Sequence, residues 1–137
     1  MRHYIVASHH KLAYGLKDTL VFLTNITERL YEISAYVDNS ISINIQIEDV
    51  FSNINDGDDV IIMSDMIGGS VNQKFYPFIN DHVHLISGVN LPLALSLLLL
   101  PENDKVTKEK INTLVDEAKQ QIVYINDYKN ESSDDDE

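Results

Sequence analysis

The order of its segments constrains this chain more than any other feature. Four short β-rich runs, at residues 4–7, 33–37, 59–63 and 82–87, alternate with stretches patterned as helices. Between the first two runs, residues 11–26 carry Leu12, Leu16, Leu20 and Leu23 at helical spacing, and Val21 and Phe22 widen that face. Ile47, Val50 and Ile54 pattern a short helix that stops before Asp56-Gly57-Asp58, a turn signal. Residues 41–47 alternate apolar and polar and read as loop plus helix start. Residues 71–79, 91–99 and 107–121 supply three more helices, with Pro92 in a first turn and Thr107 or Asp104 as a cap. Residues 122–125, Ile-Val-Tyr-Ile, either extend the last helix or form a final strand. Short apolar strands alternating with helices predict an α/β fold: a doubly wound, mostly parallel sheet with helices on both faces. In such sheets the chemistry sits outside the carboxyl ends of the strands.

A length of 137 residues is that of one domain. The formal charge is −12, and the last seven positions contribute five acids and no base, so −7 remains on the rest. Residues 1–128 are expected to fold as one domain, and residues 129–137 to form a disordered acidic tail, because a run of like charge repels itself and buries nothing. The acidic balance argues against nucleic acid, which needs a basic face, and against an anionic membrane surface. The absence of cysteine excludes disulfides, thiol catalysis and thiolate zinc sites. The first apolar run is too short for a signal peptide. The longest, residues 91–100, falls well below the ~20 residues that cross a bilayer. A soluble, cytoplasmic chain is the expectation.

Three strand ends carry residues with chemical potential. The first ends in Ser8-His9-His10, the third in Ser64-Asp65 followed by Gly68-Gly69-Ser70, and the fourth in Gly88-Val89-Asn90. A parallel sheet brings all three to one edge. A neutral imidazole is a nucleophile through one nitrogen, and a carboxylate on the other fixes the tautomer and stabilises the charge that develops on attack. Gly68 and Gly69 let backbone N–H groups approach an anion, and Ser70 adds a hydroxyl where a helix begins. Such a set suits phosphoryl transfer to histidine. Each part also has a plainer reading: His9-His10 as a turn, Asp65 as a loop or cap residue, Gly68-Gly69-Ser70 as a turn and N-cap. His82 and His84 share a strand face, but without a third ligand nearby they read as surface or packed residues rather than a metal site. No dinucleotide or P-loop glycine motif occurs.

In this order the residues resemble the IIA component of the mannose-type (mannose/fructose/sorbose) sugar phosphotransferase system. The matches are the strand running into Ser8-His9, the segment Ile61-Ile62-Met63-Ser64-Asp65-Met66-Ile67-Gly68-Gly69-Ser70, and Gly88-Val89-Asn90-Leu91-Pro92, over about residues 2–128. The resemblance implies a phosphohistidine relay. The histidine accepts a phosphoryl group from the phosphocarrier protein HPr and passes it to a IIB component, which serves the IIC and IID membrane components. Carried over by position, His9 is phosphorylated on Nε2, Asp65 holds Nδ1–H, and Gly68, Gly69 and Ser70 bind the phosphoryl oxygens. Asn90 and His10 are peripheral. No metal or other cofactor is implied. The family is a homodimer with a C-terminal strand crossing to the partner subunit, for which residues 122–125 are the candidate. Two positions depart from the pattern: His10 stands where glycine is usual, and Val71 where proline is usual. With no segment resembling IIB, a stand-alone IIA is expected. The alternatives are the related carrier that serves dihydroxyacetone kinase and a non-catalytic regulatory module on the same fold.

Overall fold

A computed structural model describes residues 1–128. Its four strands are β1 (Arg2–His9), β2 (Leu30–Ala35), β3 (Asp59–Ser64) and β4 (Val83–Ser87). They form one all-parallel sheet in the order β2-β1-β3-β4. The helices are α1 (Leu12–Thr24), α2 (Ile43–Phe51), α3 (Ser70–Phe75), α4 (Leu91–Leu98) and α5 (Lys108–Lys119).

The pleat of the strands explains the two-sided architecture. Alternate residues point to opposite faces. Tyr4 and Val6 of β1, with Ile61 and Met63 of β3, pack with Leu20 of α1, Leu97 of α4 and Ile111 of α5. Ile5 and Ala7, with Val60 and Ile62, pack on the other face with Ile47 of α2 and Phe75 of α3. The two central strands are therefore buried on both sides, as their near-continuous apolar runs require. The doubly wound α/β arrangement is the one expected.

Local details depart from the expectation for physical reasons. β2 begins at Leu30, three residues early, and stops at Ala35. Glu32 interrupts the apolar pattern on this outer strand, and Tyr36 leaves it with φ +67°, in the left-handed region. α3 is shorter than residues 71–79 because Pro77 has no N–H for the carbonyl four residues back, and Tyr76–Phe78 tightens into a 3₁₀ turn. Thr107, not Asp104, caps α5, its hydroxyl accepting from the Lys110 N–H at 3.1 Å. Residues 122–125 neither extend α5 nor join the sheet. Residues 122–124 lie outside helix and strand, and residues 125–128 form one helical turn closed by the Tyr128 N–H on the Tyr124 carbonyl at 3.1 Å. The expected acidic tail lies outside the described residues. Among those residues, no helix is long and apolar enough to cross a membrane.

Candidate functional site

The carboxyl ends of β1 and β3 lie side by side, with Ala7 opposite Ser64, so His9 and Asp65 leave the sheet as neighbours. β1 ends cleanly because His10 adopts φ +57° and turns the chain out of the sheet, its N–H donating to the Ala35 carbonyl at 2.7 Å. This is the position where glycine would be free of strain, so His10 carries a cost that its exposed side chain does not visibly repay. Ser8, almost fully buried, anchors the same turn. Its hydroxyl donates to the His10 carbonyl at 2.9 Å and accepts the Ala13 N–H of α1 at 2.7 Å.

Asp65 receives His9 twice. Its Oδ2 accepts the His9 backbone N–H at 2.9 Å and bonds the ring at Nδ1 at 2.8 Å, while Oδ1 accepts the Met66 N–H at 3.0 Å. Burial alone would raise the Asp65 carboxyl, but the bonds from His9, its charge and the Met66 N–H outweigh that, and the group lies below its ordinary value. An ionised carboxylate can only accept, so Nδ1 carries the hydrogen and the lone pair of the neutral ring is on Nε2. The His9 side chain is 31 % exposed and that of Asp65 11 %. The acid is held inside while the nucleophilic edge of the ring stays reachable.

That edge lies on Gly69. A Cβ at this position would stand 2.7 Å from His9 Cε1 and 3.3 Å from Nε2, so only glycine lets the ring rest there. Gly68, at φ +81°, makes the turn that brings the segment back over His9. Ser70 then opens α3. Under this loop, the Ser64 hydroxyl donates to Asn72 Oδ1 at 2.8 Å and pairs with the Ser87 hydroxyl at 2.9 Å, tying β3, β4 and α3 together.

The structure thus brings His9, Asp65, Gly68, Gly69 and Ser70 to one point. Asn90 is engaged elsewhere: its Oδ1 caps α4 by accepting the Leu93 N–H at 2.9 Å, and its amide donates to the Ala118 carbonyl of α5 at 3.0 Å. Sequence reasoning passed over Tyr36. Its ring centroid lies 5.8 Å from that of His9, and its hydroxyl hydrogen-bonds the Ser70 hydroxyl. With the second strand read through to Val37, Tyr36 looked like a strand interior rather than a strand end. A cavity of about 570 Å³ lies at the opposite end of the sheet, against Arg2, Arg29 and Asp104. Among the described residues, no three metal-capable side chains converge.

The fold is shared with known proteins. A Klebsiella pneumoniae crystal structure, provisionally assigned as a phosphoenolpyruvate-dependent sugar phosphotransferase system permease, is 34 % identical with a TM-score of 0.81, covering 91 % of each chain. The IIA protein associated with the fucose utilization operon of Streptococcus pneumoniae is 26 % identical with a TM-score of 0.77, over 93 % of this chain and 95 % of that one. The mannose/sorbose-specific IIA subunit of Enterococcus faecalis is 12 % identical with a TM-score of 0.71, over 89 % and 92 %, a likeness of fold alone. No curated protein matches the chain. The family model described as the phosphotransferase system fructose IIA component matches residues 3–115, and the chain belongs to this mannose-type IIA family of sugar phosphotransferase system components.

Proposed function

We propose that this chain is a phosphoryl relay: His9 takes a phosphoryl group from phospho-HPr and gives it to a IIB component in the cytoplasm, in support of sugar uptake. The observation that carries this reading is the His9–Asp65 pair, with Nδ1 held at 2.8 Å and the Nε2 edge exposed over Gly69.

The step follows from that arrangement. The Nε2 lone pair attacks the phosphorus of the donor phosphohistidine. A new N–P bond forms, the old one breaks, and its electron pair returns to the donor imidazole. The His9 ring keeps its Nδ1 hydrogen and becomes cationic, and the Asp65 carboxylate stabilises that charge where it develops. Backbone N–H groups at Gly68 and Gly69, with the Ser70 hydroxyl, are the donors nearest the phosphoryl oxygens. Transfer to IIB repeats the exchange with His9 as leaving group. The N–P bond must stay labile, so oxygens held equally well before and during transfer would trap the intermediate. The donor is itself a phosphohistidine, and the scheme needs no metal or nucleotide. The partial exposure of the His9 side chain suits such a donor, because another protein's side chain must reach Nε2.

The test is incubation with enzyme I, HPr and labelled phosphoenolpyruvate. An acid-labile, base-stable label is expected on the wild-type chain and on His10→Ala, and none on His9→Ala. Asp65→Asn should slow transfer with the fold intact. Label persisting on His9→Ala overturns the site, and its absence from the wild type favours a regulatory module on the same fold.

A further inference from the structure

The relay leaves the Tyr36 hydroxyl without a task. Packing over His9 would be served equally by a phenylalanine ring, so the oxygen requires its own account. It meets the hydroxyl of Ser70, on an element 34 residues away, while its ring stands 5.8 Å from the imidazole at 32°. Both contacts depend on the φ of +67° at Tyr36, which turns the chain from the end of β2 toward the neighbouring site. A left-handed tyrosine carries backbone strain, and these two contacts accompany that conformation.

A pair of hydroxyls carries two hydrogens and spends one between them. The phenol is the stronger acid and the weaker acceptor, so Tyr36 donates and the Ser70 oxygen accepts. The serine hydrogen is then left free to point elsewhere, and Ser70 becomes a better donor, because a hydroxyl that accepts a hydrogen bond donates more strongly. We propose that Tyr36 is a positioning residue of the phosphoryl site: its hydroxyl fixes the Ser70 rotor so that the serine O–H faces the phosphoryl group on His9 Nε2. The inference rests on the relay reading and adds to it a residue that acts through Ser70. Tyr36 is half exposed and contributes little to the core, so removing one oxygen leaves the fold in place.

A double-mutant cycle tests it, with transfer from phospho-HPr and the hydrolysis half-life of the phosphorylated chain as readouts. Tyr36→Phe should keep the label on His9 and lose about fivefold in transfer rate, the scale of one neutral hydrogen bond. Ser70→Ala should lose at least as much. The double variant should match Ser70→Ala, because the tyrosine acts only through the serine. The phosphohistidine half-life should change in Tyr36→Phe and show no further change in the double variant, while the unfolding midpoint stays constant, which separates positioning from structural support. A labelled wild type with Tyr36→Phe at full rate, or additive losses in the double variant, overturns the inference and leaves the relay standing. No label on the wild type overturns both.

Discussion

At the residue scale, the site depends on what Gly69 lacks. Its backbone, at φ −83° and ψ 160°, is one that any residue adopts, so conformation does not require glycine there. The requirement comes from the His9 ring, with Cε1 only 2.7 Å from where a Cβ would be. The ring cannot easily yield, because Asp65 holds both its Nδ1 and its backbone N–H. Gly69→Ala should therefore cost about 1–3 kcal/mol of stability, because the overpacked methyl outweighs the gain from a stiffer unfolded chain. Transfer should fall by about ten- to a hundredfold, the usual result of moving a reacting atom by about an ångström. Chemical unfolding and the labelling rate, measured on one preparation, check both halves, and an unaltered rate refutes the argument. The juxtaposition of His9 with Asp65 was legible in the sequence, because both follow apolar strands and a parallel sheet aligns such ends. The Tyr36 contact was not. It depends on a left-handed φ at a non-glycine residue, and no residue-type pattern announces that. Asn90, in a recognisable motif at a strand end, was expected only at the periphery of the site, and its side chain joins two helices.

At the element scale, the loop bearing Gly68, Gly69 and Ser70 is short, and α3 behind it has only six residues. So brief a helix is held by tertiary contacts rather than by its own propensity. Val71 and Phe75 supply the apolar part, and Asn72, almost fully buried, supplies the polar part. The Asn72 carbonyl accepts from Ser64 beneath the site, and its amide reaches the Tyr76 hydroxyl at 3.4 Å. Asn72→Ala removes the acceptor and leaves a buried hydroxyl with only Ser87, at a cost of about 1–3 kcal/mol. Because that bond ties α3 to β3 beneath the site, slower labelling of His9 should accompany the loss in urea unfolding. A destabilised variant that relays at full rate would separate α3 from the site. The sequence pattern located this helix but not its length. Apolar spacing continues to Ile79, whereas the backbone hydrogen bond that Pro77 cannot make ends the α ladder earlier. β2 was misplaced for a related reason: burial on an outer strand is partial, so a polar Glu32 is tolerated and the apolar signal starts late.

At the scale of the whole molecule, the sheet stops at β4, whose outer edge pairs with no strand among the described residues. An open edge invites another strand. His84 lies on that strand. Burial holds its imidazole below the ordinary value, and its Nε2 has no hydrogen-bond partner. Elsewhere on the chain, Ile122, Tyr124, Ile125 and Tyr128 are each more than half exposed, a run of apolar side chains that a lone subunit leaves in water. We propose one association for both features, the strand exchange that the family resemblance implies: a second copy laying its C-terminal segment against β4. In that dimer residues 122–125 would be a strand, whereas within the single chain they form none. A strand there would satisfy its backbone by pairing with the open sheet edge of the second copy. Sedimentation should therefore give twice the chain mass at micromolar concentration. Replacing Ile122 and Ile125 together by Asp should give the single mass, because two charges cannot be buried against an apolar sheet edge. The monomeric variant should keep the secondary structure of the wild type and still accept label at His9, since His9, Asp65, Gly69 and Ser70 all come from one chain. A wild-type chain that sediments as a monomer refutes the association, and a variant that stays dimeric moves the interface away from residues 122–125.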